Sequence, residues 1–290
     1  MKKKKMTGSK LFDFCNIIIM ILVILVTAYP FLYVILASFS DPTALATHSG
    51  LLLTPLEPMI TKAYEKVLRM PSILSGYKNT IIVLVLGVST NMVMTILGAF
   101  FLSLKGPMHK NLVSFMVIFT MYFSGGLIPS YLNVKDLGLL NSLWSLILPG
   151  AIGTTNMIIL RTAFQNIPDS LTEAAQLDGA NYLQILFQVF LPLTKATLAV
   201  LVLYYGVSHW NAWFNASIYL MDTTKYPLQL VMRQLLDSLT STIGGVDDAV
   251  QYIELIKYAL IIVSTVPILV LYPFLQKYFT KGVMIGALKG

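Results

Sequence analysis

Apolar residues in this chain come in long runs rather than in alternating stripes. Six stretches, near 14–37, 80–104, 112–132, 139–161, 196–220 and 257–279, each hold about 20 or more mostly apolar residues, the length an α-helix needs to cross a hydrocarbon core. Polar and charged residues collect between them. The pattern predicts an all-α integral membrane protein with six transmembrane helices. The first run follows Lys2-Lys3-Lys4-Lys5, as a secretory leader would. Its apolar core is longer than the 7–15 residues of a signal sequence, and no small-residue cleavage site follows. It reads as a retained span, with a basic cytoplasmic N-terminus at 1–13 and one transmembrane domain over 14–290.

Composition agrees. Of 290 residues, 56% are apolar and 11% charged, with a mean hydropathy of +0.75. Soluble domains carry roughly 25% charged residues, so a water-soluble globule, a disordered chain and a disulfide scaffold are excluded. Cys15 has no partner within the chain. The net charge of +7 reads as topology rather than as affinity for nucleic acid. With the N-terminus inside, the inner segments carry 12 Lys and Arg against 4 acids, and the outer ones 8 against 9. That excess places both termini in the cytoplasm.

The inner segment 162–195 is neither apolar enough to span nor polar enough to be a linker. Ile167-Pro168-Asp169 marks a helix entry, with Ser170 and Glu173 at capping-box spacing. Leu171, Ala174, Ala175 and Asp178 recur at helical spacing as a face of small residues, and Gly179 suits a left-handed stop. A second helix is expected from about Asn181, with Tyr182, Ile185, Leu186, Val189 and Phe190 on one face, stopping before Leu191-Pro192. Two short helices at a Gly turn would thus expose a flat patch to which another protein's backbone can come close. Residues 169–180 hold no Lys, Arg or large aromatic, which argues against a helix lying on anionic lipid.

Glu173-Ala174-Ala175, Gly179 six residues after the Glu, and Leu191-Pro192 some twelve residues later resemble the cytoplasmic EAA loop of ABC importer permeases. Asp178-Gly179-Ala180 and Phe187 before Leu191-Pro192 are similar to the carbohydrate-uptake, maltose-type branch. Trp210-Asn211 and the tail from Gly282 to Gly290 extend the likeness, which covers the second half of the chain by motif and the first half by span pattern. Size and the Lys-rich start look most like its oligosaccharide-uptake subgroup. The resemblance implies a bacterial inner-membrane, multi-pass permease subunit with the EAA coupling loop between spans four and five. It implies three kinds of protein partner: a second, homologous permease chain, a dimer of ATPase subunits, and an external sugar-binding protein that delivers the carbohydrate. Glu173, Ala174, Ala175, Asp178, Gly179 and Ala180 would then meet the ATPase, whose closure on ATP and Mg would switch the spans between inward- and outward-facing states. The chain has no Gly-Lys dipeptide and hence no phosphate-binding Walker loop, so no cofactor is expected in it.

Polar residues inside spans usually face a bundle interior or a wet cavity. Ser208, Asn211 and Asn215 fall at i, i+3 and i+7 of span five, with Trp210, Trp213 and Phe214 beside them. Amides and hydroxyls bind sugar hydroxyls, and aromatic faces cover sugar C–H surfaces, so this stripe is the expected substrate path. The same residues also serve as interhelical ties, and by the resemblance the partner permease can hold most sugar contacts. Asn91 and Asn156 read as packing residues and His209 as a structural hydrogen-bond donor. Breakers at Gly125-Gly126 with Pro129, at Pro149-Gly150 with Gly153, and at Pro267 and Pro273 mark kinks. Two rival readings are an intramembrane serine protease using Ser124 and His209, and an ion-driven secondary transporter. The first lacks the usual Gly two residues before the Ser, where Tyr122 stands, and the second lacks carboxylates in the spans beyond Asp13 at the edge. His48, His109 and His209 are too scattered for a metal motif.

Overall fold

The computed structural model describes residues 6–106, 108–241 and 253–270, and their regular structure is entirely helical. Helix α1 runs Met6–Phe39, so helical structure begins ahead of the apolar stretch Phe12–Phe39. Three helical stretches are each long and apolar enough to cross a membrane: Phe12–Phe39, Pro71–Ser103 and Ile253–Val270. Three further bent pairs bring the number of spans to as many as six.

The chain divides into two compact units, Met1–Met70 with Gln234–Val266, and Pro71–Arg233 with Pro267–Gly290. In the first, α1 is apolar and exposed on all sides from Phe12 to Val26, as a helix solvated by lipid must be. Its C-terminal end is polar inside: Ser38 is fully buried and its hydroxyl lies 2.6 Å from the Tyr64 hydroxyl of α3 (Lys62–Leu68). Between them, α2 (Pro42–Thr47) is capped by Asp41, whose carboxylate accepts from the Thr43 and Ala44 N–H groups. Those bonds, with the Thr43 hydroxyl first among them, hold the Asp41 carboxyl below its ordinary value.

The second unit is built on α4, Pro71–Ser103, which begins well before the expected residue 80. Proline lacks an N–H and loses nothing at a first helical position, so the helix extends through the polar stretch Ser72–Lys78. After α4 come α5 (Lys110–Tyr122) and α6 (Leu127–Asp136), bent by 119°. The span expected at 112–132, with breakers at Gly125-Gly126 and Pro129, is broken at Phe123–Gly126, where Gly126 has φ +86°. Span four is broken likewise: 3-10 turns over Leu143–Leu146 and Leu148–Gly150 lead into α7 (Thr154–Gln165) with a 48° bend.

Helix α8 covers Asp169–Leu177, and α9 starts at Tyr182. From Tyr182–Ile185 the helix widens into a π turn at Leu186–Phe190 and continues as α10 (Leu191–Leu193). The second helix thus runs through Leu191-Pro192 instead of stopping before it. It then bends by 85° into α11 (Lys195–Trp210). Span five, expected to be continuous over 196–220, ends at Trp210; Asn211–Trp213 is irregular and α12 covers only Phe214–Tyr219. A 3-10 turn at Thr223–Lys225 precedes α13 (Leu228–Ser241), and α14 is Ile253–Val270. The expected sixth span reaches to 279, and the part beyond 270, like Lys2–Lys5 and the Gly282–Gly290 tail, lies outside the described residues.

Helices in lipid do not associate by expelling water, so packing and hydrogen bonds between them decide the arrangement. α4 packs along α7 and α11. Phe100, Phe164 and Phe190, one from each of α4, α7 and the π turn, meet edge to face at 5.1–6.4 Å. The break in span four leaves backbone groups without helical partners, and in lipid each would cost several kcal/mol. Side chains from two other helices bond to two of them. Asn91 of α4, 1% exposed, donates to the Gly150 carbonyl at 2.6 Å and is joined to His209 of α11 at 2.7 Å. The Gly153 N–H donates to the Tyr205 hydroxyl at 3.1 Å, and that hydroxyl is bonded to Thr95 at 2.7 Å. The bend is therefore held by Asn91, Thr95, Tyr205 and His209.

Candidate functional site

Gly179 sits at φ +81° between α8 and α9, a conformation other residues adopt only under strain. The turn closes with the Ala180 N–H donating to the Ala175 carbonyl at 2.9 Å and the Gly179 N–H to that of Gln176 at 3.0 Å. The expected capping box at Ser170 and Glu173 does not form: α8 starts at Asp169 after Pro168 with no side-chain cap. The capping box lies at the second helix, where the Asn181 side-chain oxygen accepts from the Gln184 N–H and the Gln184 side chain accepts from the Asn181 N–H. Asn181-x-x-Gln184 carried that signal in sequence.

The six residues of the expected docking face are divided. Ala175 and Ala180 are half-buried and pack on the apolar core, which anchors the elbow. Glu173, Ala174, Asp178 and Gly179 are exposed, as is Leu177, 89% open and the most exposed apolar side chain of the loop. An exposed Leu beside Ala and Glu on a helix held only at one face is a surface that can receive a protein.

At the start of α8, Asp169 forms an ion pair with Lys105, just past the end of α4. The bond and the charge of Asp169 hold the Lys105 ammonium above its ordinary value. Lys110 donates to the Leu104 carbonyl at 2.6 Å. A cavity of about 540 Å³ opens behind α8, with Lys105, Asp169, Glu173, Gln176 and Tyr182 in its wall. α8 is thus tied to α4 as well as to its neighbours in sequence. The sequence reading missed that tie, since 64 residues separate the two partners.

The expected substrate stripe is altered by the break in span five. Ser208, Asn211 and Asn215 are all exposed, but α11 ends before Asn211, so no single helix carries them at i, i+3 and i+7. The Asn211 amide donates to the Val207 carbonyl at 2.9 Å, closing the end of α11. Trp210 is turned inward, 7% exposed and beside Tyr77, and its indole N–H has no hydrogen-bond partner among the described residues. Trp213 is half-buried, with Phe214 against its edge and the Arg233 guanidinium 3.7 Å above its ring. Arg233 was not singled out in sequence.

The serine protease reading fails on geometry. His209 is bonded to Asn91, while the Ser124 hydroxyl accepts from the Gly126 N–H.

No family model matches the chain. Protein LplC of Bacillus subtilis (strain 168) is 40% identical over 286 residues, covering 98% of this chain and 96% of that protein. The polygalacturonan/rhamnogalacturonan transport system permease protein YtcP of the same organism is 37% identical over 286 residues, covering 97% and 99%. A crystal structure of a bacterial ABC transporter involved in the import of the acidic polysaccharide alginate contains a chain that matches with a TM-score of 0.86 and 33% identity, over 94% of this chain and 98% of that one.

The chain belongs to the carbohydrate-uptake permeases of ABC importers.

Such a permease is a transporter subunit, not an enzyme. The broken spans of this one are consistent with that role, because irregular backbone persists at membrane depth only where protein or water covers it.

Proposed function

We propose that this permease is one half of the pore of a bacterial cell-membrane importer for acidic oligosaccharides. Both termini lie inside, and α8 is the element on which an ATPase subunit docks. The other half is a second, homologous permease, and an external binding protein delivers the sugar. ATP and Mg bind in the ATPase. The observation that carries this reading is the elbow: a helix anchored by Ala175 and Ala180, turned at Gly179, and exposing Glu173, Ala174 and Leu177. A rigid lever with an exposed outer face fits a part pushed from outside the chain. The acidic character of the sugar is supported by two relatives, one named for polygalacturonan and rhamnogalacturonan and one for alginate. The exposed Ser208, Asn211 and Asn215, which lipid would not solvate, are assigned to the substrate path together with Trp213.

The test uses Cys15→Ser as background and adds Ala174→Cys. A membrane-impermeant maleimide should label position 174 in inside-out vesicles and not in intact cells, and co-expressed ATPase should block the labelling. Glu173→Lys should reduce co-purification of the ATPase. Labelling from the outside refutes the topology, and undiminished co-purification refutes the docking role of Glu173.

A further inference from the structure

We infer that Arg161 and Lys110 form a binding site for the phosphate of an anionic phospholipid, at the end of span four that leads into α8. Arg161 lies in α7, four residues before its end at Gln165, or about 6 Å along the axis. It is half-buried, and its Nη1 donates to the Ser114 hydroxyl of α5 at 2.9 Å. Its Nε is buried and has no hydrogen-bond partner among the described residues. A guanidinium carries five N–H donors, and a charge within a spanning segment is costly unless it is paired. Among the described residues no carboxylate pairs with this one.

The surroundings decide which anion fits. Lys110 and Ser114 stand at i and i+4 of α5, so a second cation shares the stripe that holds Arg161, one turn away. The Lys110 ammonium uses one of its three donors on the Leu104 carbonyl. Beside this stripe Leu112, Phe115, Met116 and Phe119, at i, i+3, i+4 and i+7, form an apolar ridge 46–64% exposed. Exposed hydroxyls on the same two helices are closed onto their own backbones, Thr120 onto the Val117 carbonyl at 2.7 Å and Thr162 onto that of Ile158 at 2.9 Å. Such a surface suits acyl chains rather than the hydroxyls of a sugar. Two cations at the head of an apolar ridge match a lipid with its phosphate at the head-group level and its tails along α5. Basic pockets between spans bind anionic head groups in this way, and long Arg and Lys side chains reach that level by snorkelling. A free phosphate shares the chemistry but makes no use of the ridge.

The whole importer complex is placed in nanodiscs of phosphatidylcholine with increasing phosphatidylglycerol, a trace of which carries a photoreactive group close to its glycerol backbone. On illumination of the wild type, label should fall on peptides from 109–119 and 158–165. Arg161→Gln should need about 5-fold more phosphatidylglycerol for the same labelling, the factor that a cation near an anionic membrane surface contributes, and Arg161→Lys should lie between the two. Photoreactive phosphatidylcholine should label these peptides weakly and equally in both proteins, and inorganic phosphate should not displace the lipid. Absence of label from both peptides in the wild type overturns the inference with no variant needed, and is the result a second permease covering this face would give. Labelling of Arg161→Gln at wild-type phosphatidylglycerol overturns it as well, and loss of label to inorganic phosphate makes this a site for the free anion instead. Nanodiscs present the same lipid on both faces, so the outcome depends neither on the side that α8 occupies nor on the sugar carried.

Discussion

Gly87 gives the sharpest test of how α4 and α11 are held. A methyl group at this position would lie 2.6 Å from Nε2, 2.7 Å from Cε1 and 3.0 Å from Cδ2 of His209, all atoms of one ring. Ordinary carbon contacts start near 3.5 Å, so Gly87→Ala must drive the imidazole away by most of an ångström. The ring cannot move that far and keep its 2.7 Å bond to Asn91, which in turn positions the amide that serves the Gly150 carbonyl. Overpacking costs about 1–3 kcal/mol, and a buried polar group left without its partner about 1–3 kcal/mol more. Gly87→Ala should therefore destabilise by roughly 2–6 kcal/mol, the sum of those two ranges, seen as a thermal midpoint several degrees lower for the detergent-solubilised complex. His209→Ala alone should lose the hydrogen bond only. The double variant should be more stable than Gly87→Ala, because no ring remains to clash. If Gly87→Ala melts with wild type, or if the two changes simply add, the close approach of Gly87 to His209 is wrong and the three-helix clasp goes with it.

Other expectations follow from single contacts. A β-carbon placed on Gly179 would meet nothing within 4 Å, so φ +81° alone sets the penalty; Gly179→Asn should retain more sugar uptake than Gly179→Val, with about 1–2 kcal/mol between left-handed and ordinary backbone at stake. Lys105→Glu and Asp169→Lys should each weaken uptake per ATP hydrolysed, and the double swap should recover it; no recovery would remove the ion pair from the drive. The sign of its pH dependence is fixed by the raised Lys105 ammonium: the contribution is complete below the ordinary lysine value of 10.5 and disappears as pH rises through the elevated one. Asp222, whose carboxyl is held below 3.8 chiefly by the Thr224 hydroxyl and N–H, behaves oppositely, and its turn should loosen only as pH falls through that lowered value. Protease nicking around Thr223–Lys225 across an acid titration reads this directly, and Asp222→Asn should remove the pH dependence.

Long apolar runs betrayed the first, second and sixth spans, because length and hydropathy are local properties. The elbow was legible for the same reason: a Pro-Asp entry, a Gly stop and a renewed helical period lie within twenty residues. The breaks in spans three and four were visible only as Gly and Pro, without their consequences, and the break in span five carried no such mark. Whether Pro149-Gly150 makes a slight kink or a real interruption depends on Asn91 and Tyr205, which lie 59 and 52 residues from the groups they serve. Helical spacing over 208–215 assumed that α11 continued, and it fails because Asn211 turns its amide back onto Val207. Trp210 was expected beside the sugar and is inside, a distinction between two faces of one helix that residue type does not make.

Five residues, Leu186–Phe190, occupy a π turn, about one more than an α turn would need. In a regular helix, losing one residue rotates everything downstream by about 100°. Here the surplus loop of backbone can absorb such a loss by tightening to ordinary α geometry, leaving Leu191, Pro192 and the whole of α11 facing where they did. Gene copies differing in length by one codon in this stretch should remain interchangeable, whereas the same deletion within α11 should scramble the pore wall.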